Sequence, residues 1–216
     1  MWIINDDYYI KMNTTHNIPG WIPNSQCDVL TEVIKGLPDH YSILEIGAWM
    51  GRSTCAILDG AKPSHVLDIC DRWSYVSLFS LFVDFPMDAW PWKPFGNIEL
   101  LEKEIKKLAE HKEPKKCWET FVYAHKNASR IRHVFHCDSI ELTNTSYDCV
   151  ILDGDHNYDV ISKELELFKN SAIICGDDYL NIDCPDIARA VDEFVLKYNK
   201  KLKLFPETLF FTITND

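Results

Sequence analysis

The sequence predicts an α/β fold: a doubly wound, mostly parallel seven-stranded sheet with an antiparallel C-terminal strand and a helical, aromatic-rich insertion. Three observations predict it. Strand-like and helix-like segments alternate along most of the 216 residues, which is typical of parallel strands joined by helical crossovers. Two apolar runs that end in paired acids enclose one short helix, and this spacing indicates a βαβ unit. The last two strands alternate around a turn, which predicts an antiparallel pair in a Rossmann-like sheet.

The strands are predicted from short apolar runs that are rich in β-branched and aromatic residues and bounded by turn residues. They cover residues 42–46, 65–70, 131–136, 147–152, 171–175, 201–205 and 208–214. The helices are predicted from apolar residues that recur with the helical period. They cover residues 25–35, 52–58, 98–111, 116–127, 159–168 and 186–199. Because no repeat or low-complexity linker interrupts this pattern, we expect residues 1–216 to form a single domain.

Two stretches depart from the regular alternation. Residues 1–40 form an N-terminal segment that starts irregularly and contains the first helix. Residues 72–120 form a helical insertion or cap, with a concentration of aromatic residues between 73 and 95. These aromatic side chains either pack against the sheet or form a lid that stacks on the substrate. The sequence leaves both alternatives open.

Charge and composition argue against several classes of partner. The net charge of -11 disfavours nucleic acid and anionic membranes, because both are polyanions. No apolar run approaches the ~20 residues of a membrane span, and the N-terminus lacks the basic start of a signal peptide. The 8 cysteines form no C-x-x-C pair, and Cys70, Cys149 and Cys175 lie in apolar strands, as reduced thiols do. We therefore expect a cytoplasmic protein.

Acids that follow two successive strands are the strongest functional feature. The first strand is followed by Asp153 and Asp155, and the second by Asp177 and Asp178. If the two strands are adjacent, their ends lie roughly 4.8 Å apart, so these carboxylates crowd one edge of the sheet. Like charges that close repel each other unless a proton or a cation lies among them. The arrangement therefore suggests a divalent metal.

The turn after the first strand is predicted to bind a nucleoside, although an ordinary tight turn is the simpler alternative. Gly47 permits a sharp turn, and Gly51 allows close approach of backbone. Ser53 follows at a position where helix caps are favoured. A dinucleotide-binding dehydrogenase is disfavoured, because its fingerprint needs glycine where Trp49 stands.

Two acids about 20 residues further on, Asp68 and Asp71, lie where an acid reaches ribose hydroxyls in nucleotide-binding folds. Both are candidates at this point.

Together these motifs resemble a known family. Residues 45–54, Glu-Ile-Gly-Ala-Trp-Met-Gly-Arg-Ser-Thr, are similar to the first motif of class I S-adenosylmethionine-dependent methyltransferases. Residues 153–158 followed by 176–179 resemble one branch of them. That branch contains the metal-dependent sugar O-methyltransferases of the macrocin and aminocoumarin type and the cephalosporin hydroxylase-like proteins. The resemblance is weakest across residues 74–115.

The resemblance implies that the cofactor is S-adenosylmethionine and assigns residues to it. Glu45, Gly47 and Gly51 would contact its methionine part, Asp71 its ribose, and Asp138 and Ser139 its adenine; Ser53, in the first turn, completes the predicted set.

The resemblance also implies a metal centre and a base. Asp153, Asp177 and Asp178 match metal ligands, and Asp155 matches the general base. Three carboxylates are hard donors that suit Mg²⁺, whereas a further His156 ligand would favour Mn²⁺ or Fe²⁺.

The predicted function is therefore a metal-dependent O-methyltransferase that acts on a hydroxyl of a small sugar, polyhydroxylated or phenolic acceptor. In our hypothesis the substrate chelates the cation, Mg²⁺ or another divalent ion, while Asp155 deprotonates the attacking hydroxyl.

Alternative functions stay open at this point. A catalytically inert nucleoside-binding module would keep the same fold, because fold does not fix function. A phosphatase of the haloacid dehalogenase type would use Asp153 and Asp155, but it expects Thr or Val at the position of Asn157. The N-terminal segment and the terminal hairpin are candidate contacts of a homodimer.

Overall fold

The structure, a computed structural model, describes residues 15–18, 20, 22–74, 114–205 and 208–215. The helices are α1 (Asn24–Gly36), α2 (Arg52–Gly60), α3 (Pro114–Tyr123), α4 (Tyr158–Leu167) and α5 (Pro185–Tyr198). The strands are β1 (Ser42–Ile46), β2 (Val66–Cys70), β3 (Ile131–Phe135), β4 (Cys149–Leu152), β5 (Ile173–Gly176), β6 (Lys201–Leu204) and β7 (Phe211–Thr214). The predicted helix 98–111 and most of the aromatic stretch 73–95 lie outside the described residues.

The seven strands form one sheet in the order β3-β2-β1-β4-β5-β7-β6. β1 pairs in parallel with β2 and β4, and β5 pairs in parallel with β4. β7 runs antiparallel to both β5 and β6. The reversal of strand order beside β1 makes the sheet doubly wound, and this confirms the predicted fold class.

Contacts divide the chain into two compact units. One unit, residues 36–48, 62–72 and 130–216, holds all seven strands together with α4 and α5. Its core joins central strands to these two helices and includes Leu44, Val150, Ile174, Leu165 and Val191. Apolar residues on successive turns of α5 face this core, as the sequence pattern predicts. The expected single domain stays a prediction.

The other unit, residues 1–35, 49–61 and 73–129, holds α2 and α3. The indole of Trp118 in α3 donates a hydrogen bond to Thr54 Oγ1 in α2, at 3.1 Å. α3 ends at Tyr123, before the predicted end at residue 127. Beyond Tyr123 the backbone turns more tightly, since the His125 N–H donates to the Val122 carbonyl three residues back, at 3.0 Å. The His125 ring pairs with Asp59 (3.1 Å) and the Asn127 side-chain amide donates to the Leu58 carbonyl (2.9 Å), which hold this segment in place.

Candidate functional site

The pairing of β4 with β5 places two acid pairs at the same edge of the sheet. Leu152 lies opposite Gly176 in parallel register, so Asp153 and Asp177 follow at the carboxyl ends of neighbouring strands. β1 lies on the other side of β4, and the Asp153 backbone N–H donates to the Ile46 carbonyl at 3.0 Å. The predicted adjacency of the two acid-tipped strands is therefore confirmed.

Four acids at this edge act on the charge of Asp153, and we call the five together the acid rim: Glu45, Asp71, Asp153, Asp177 and Asp178. Burial, and then repulsion from the other four carboxylates, holds the pKa of Asp153 well above its usual value. Burial and the charge of Asp178 also raise the pKa of Asp177 to about 7, although Asp177 accepts a hydrogen bond from the Asp178 backbone N–H at 2.7 Å. The rim thus favours a bound proton or a bound cation.

Asp178 is held in an unusual conformation that separates the roles of its two oxygens. Its backbone is left-handed, with φ 61°. Oδ1 accepts a hydrogen bond from the Asn181 amide at 2.8 Å, and Oδ2 lies 3.5 Å from His156 Nε2. The other ring nitrogen of His156 lies 3.3 Å from Cys184 Sγ. His156, Asp178 and Cys184 each offer one ligand atom, and these atoms lie within 4.8 Å of one another.

The predicted base, Asp155, is held by an arginine. Arg72 Nη2 donates to Asp155 Oδ2 at 3.3 Å, and the Asn157 backbone N–H donates to the other carboxylate oxygen at 2.9 Å. The same guanidinium donates to Asp138 Oδ1 at 3.1 Å. Arg72 therefore joins the predicted base to the predicted adenine segment. Sequence reasoning missed this role, although a cation directly after Asp71 in an acidic region was a usable signal.

Ser139 is buried and donates a hydrogen bond to Glu164 Oε1 in α4, at 2.5 Å. Burial, with a smaller contribution from the charge of Asp155, raises the pKa of Glu164 to about 7. The hydrogen bond from Ser139 opposes this shift. Sequence reasoning also missed Glu164, because its position on α4 is typical of an exposed helical residue. The bond fixes Ser139, which begins a short 3-10 helix, Ser139–Glu141.

The two glycines of the first turn are required by contacts within the protein. Gly47 has φ 87°, and a Cβ there would lie 2.0 Å from the Asp153 carbonyl oxygen. Gly51 has φ 97°, and a Cβ there would lie 2.5 Å from Val122 Cγ2. Gly51 is itself the N-cap of α2, and Ser53 is the second residue inside the helix. The expected capping role of Ser53 is therefore wrong.

Of the two candidate ribose acids, Asp68 is fully engaged inside the sheet unit. It binds Arg132 through both carboxylate oxygens, at 2.7 and 3.0 Å, and accepts a hydrogen bond from the Tyr147 hydroxyl at 2.9 Å. Asp71 lies at the carboxyl end of β2, where its backbone N–H donates to the Phe135 carbonyl at 3.1 Å. Asp71 also belongs to the acid rim, so the geometry favours it.

The family assignment rests on the central part of the chain. Residues 44–179 match a family described as a methyltransferase domain, and they include the last three residues of β1, all of β2 to β5 and the whole acid rim. The chain belongs to this methyltransferase family. The predicted resemblance and the predicted enzyme class, a methyltransferase, are therefore confirmed. A search among curated proteins finds no match.

Solved structures share the methyltransferase fold. An O-methyltransferase from Bacillus cereus in complex with SAH has a TM-score of 0.54 and 13% identity, covering 100% of this chain and 94% of that one. Cofactor-bound Rv0187 from MTB has a TM-score of 0.54 and 14% identity, with coverage of 95% and 87%. CalS11, a TDP-rhamnose 3'-O-methyltransferase of calicheamicin biosynthesis, has a TM-score of 0.50 and 15% identity, with coverage of 88% and 77%. At these identities the likeness shows the fold alone.

Within the ranges that the structure describes, no helix of this methyltransferase is long and apolar enough to span a membrane.

Proposed function

We propose that this methyltransferase uses S-adenosylmethionine and a divalent cation to methylate a hydroxyl of a small molecule. The observation that carries the proposal is the acid rim, in which paired strands set Asp153 beside Asp177 and Asp178. Carboxylate oxygens are the donors that Mg²⁺ prefers, and the raised pKa of Asp177, about 7, marks a group whose ionised form needs a neighbouring cation. The donor set therefore fits Mg²⁺ or a similar divalent ion.

The cofactor would lie across the carboxyl ends of β1 and β2, the crevice that ligands occupy in doubly wound sheets. In this proposal Glu45 and Gly47 contact its methionine part, Asp71 the ribose, and Asp138 with Ser139 the adenine. Gly51 and Ser53 complete the proposed set. The SAH in the Bacillus cereus neighbour supports this choice of cofactor. When bound, S-adenosylmethionine supplies an electrophilic methyl group.

Proton removal falls to Asp155 in this proposal. Asp153, Asp177 and Asp178 would hold the divalent cation, which would supply Lewis-acid activation of the acceptor hydroxyl. Asp155 then accepts the hydroxyl proton. Its carboxylate is held in place by Arg72 and by the Asn157 backbone N–H. Two hydrogen bonds from different elements reduce the rotamers that Asp155 can adopt, so its accepting oxygen is oriented before the substrate arrives.

We propose that the acceptor is a sugar or another polyhydroxylated or phenolic molecule with neighbouring oxygens, because such a pair can chelate a cation. The net charge of -11 supports a small-molecule substrate over nucleic acid or membrane. A cytoplasmic location and a homodimer belong to the same proposal.

Calorimetry and a transfer assay test the proposal. We expect S-adenosylmethionine to bind with or without Mg²⁺, and methyl transfer to catechol or sugar acceptors to require the metal. Transfer that survives a chelator would contradict the metal role. Cofactor binding without transfer to any hydroxylated acceptor would favour the inert nucleoside-binding module, and the absence of cofactor binding would overturn the proposal.

A further inference from the structure

We propose that His156, Asp178 and Cys184 form a site for a thiophilic transition metal of the Zn²⁺ and Co²⁺ class. Imidazole, carboxylate and thiolate together are the donors that this class prefers, whereas Mg²⁺ prefers oxygen alone. The site is distinct from the oxygen set of Asp153, Asp177 and Asp178, although the two sets share Asp178.

The three donors lie close enough together to share one ion, since their ligand atoms are within 4.8 Å of one another. With metal–nitrogen and metal–oxygen bonds of about 2.0 Å and metal–sulfur bonds of about 2.3 Å, tetrahedral ligand atoms lie roughly 3.3–3.6 Å apart. His156 Nε2 lies 3.5 Å from Asp178 Oδ2, and His156 Nδ1 lies 3.3 Å from Cys184 Sγ. These two distances belong to different nitrogens of one ring, so a bound ion would take one nitrogen, and the exposed His156 side chain would turn to bring that nitrogen towards both partners. The fourth position is left for water or another ligand.

Local structure holds each donor in place. His156 precedes Asn157, which caps α4 by accepting a hydrogen bond from the Asp159 backbone N–H at 3.0 Å. Cys184 is the N-cap residue of α5, and its backbone N–H donates to the Asn181 carbonyl at 3.0 Å. The Asn181 side chain binds Asp178 Oδ1, which leaves Oδ2 directed at His156. Asn181 thus orients a ligand from outside the coordination sphere, as such partners do in natural metal sites.

Cys184 differs from most cysteines of this chain in its accessibility. Six of the 8 cysteines are buried, and Cys184 and Cys137 are half-buried. An ion can therefore reach Cys184 from solvent. On binding, the sulfur–hydrogen bond is replaced by a sulfur–metal bond, and the proton leaves to solvent.

The same three residues could instead be a hydrogen-bonded nucleophile, with His156 activating the Cys184 thiol. Burial of the thiol disfavours this, and the charges of Asp178, Asp183 and Asp177 add to the effect by repelling a free thiolate. A cation reverses the balance, since it neutralises both the thiolate and the acids. The environment therefore favours a metal.

Cobalt titration of the full-length chain, stripped of metal with EDTA, tests the site without any assay of methyl transfer. We expect one Co²⁺ per chain and a thiolate-to-cobalt charge-transfer band in the near ultraviolet. Cys184→Ser should abolish the band, and the matched variant Cys137→Ser should keep it. Asn181→Ala keeps all three donors and should weaken Co²⁺ binding by ~10-fold, the usual effect of losing an orienting partner.

Several outcomes would overturn the site. They are the absence of a band in the wild-type chain, a band that survives Cys184→Ser, and rapid alkylation of Cys184 by iodoacetamide that Zn²⁺ does not slow. If Cys184→Ser fails to fold, by circular dichroism, then His156→Asn gives the same test. The inference does not rest on the proposed methyl transfer: a cobalt band without any transfer would support the site and count against the enzyme proposal alone.

Discussion

Two buried acidic regions of the same sheet unit have opposite electrostatic character. Asp68 in β2 is 1% exposed, and burial alone would raise its pKa, but the hydrogen bonds and charges of Arg132 and Tyr147 outweigh burial and lower it. At the acid rim, burial of Asp153 and repulsion from its acidic neighbours act in the same direction and raise its pKa. In the first region the protein's own groups lower the pKa of the acid, whereas in the second the neighbouring acids raise it, so a proton or a cation is favoured there. The difference teaches that charge compensation, more than burial, separates a structural acid from a candidate functional acid.

Removing an acid from the rim should have the largest effect on activity. Asp177→Ala should lower kcat by at least ~100-fold, because it removes a proposed ligand of the cation that would activate the acceptor hydroxyl for proton transfer. It should leave S-adenosylmethionine affinity nearly intact, because Asp177 lies outside the proposed cofactor set. It should not lower stability, since it removes repulsion among buried carboxylates. Steady-state kinetics, calorimetry and thermal unfolding measure the three quantities. Activity equal to wild type, unaffected by chelator, would refute the role of Asp177.

Removing the charge of Asp68 should have the opposite result, a loss of stability instead of a loss of activity. Asp68→Asn should lower the free energy of unfolding by about 2 kcal/mol, because it weakens hydrogen bonds to a charged partner and to a buried tyrosine. This corresponds to roughly 4–8 °C in the melting temperature of a domain of this size.

Asp39→Asn is the matched control for Asp68→Asn. It breaks an exposed pair with Lys62 at 3.2 Å and should have little effect on stability. Differential scanning calorimetry measures both variants. Loss of cofactor binding without loss of stability in Asp68→Asn would contradict the structural role of this acid.

The stability of the metal-free chain should fall as pH rises, and a bound cation should reduce this loss. Asp177 has a pKa of about 7 in the folded chain, which is above its value in the unfolded chain. Between these two pKa values the folded state therefore binds more protons than the unfolded state. Its contribution to stability is full below the unfolded value of about 3.9 and is lost as pH rises through about 7. We expect the metal-free chain to be less stable at pH 8 than at pH 5.5, and Mg²⁺ to stabilise it more at pH 8.

At a metal concentration 100-fold above Kd, the stabilisation is about 2.7 kcal/mol, or roughly 5–10 °C. Melting curves at both pH values measure it, and Asp177→Asn provides the control. Because burial also raises the pKa of Glu164 to about 7, part of the pH dependence should persist in that variant. Equal stabilisation by Mg²⁺ at both pH values would contradict the proposal that ionisation of Asp177 causes the pH dependence.

Much of the sheet and part of the candidate site could be predicted from the sequence. Apolar runs with acids at their ends predicted that β4 and β5 are neighbours, because a short helical crossover leaves few other arrangements. Such patterns could not predict which side chains far apart in the sequence bind each other. Nothing local to Asp68 indicates that Arg132 and Tyr147 bind it, so its spacing alone made it a candidate for the ribose. The capping role expected of Ser53 is wrong because Gly51, in a left-handed conformation, is the N-cap of α2.

The contacts of Asp178 also could not be predicted from the sequence. Its meeting with His156 and Cys184 depends on a positive φ and on one amide side chain, that of Asn181. Neither feature has a periodic signature. The sequence therefore predicted the acids and raised His156 as a possible further ligand, but it gave no sign of Cys184.

The left-handed backbone of Asp178 has a consequence for how the chain tolerates change. Aspartate and asparagine are among the few residues with a side chain that adopt this conformation readily. Asparagine can therefore replace Asp178 without disturbing the loop, whereas a β-branched residue cannot. Natural or engineered variants can exchange this negative charge for a neutral amide in one step, which makes position 178 a ready point for retuning which ion, if any, the enzyme accepts.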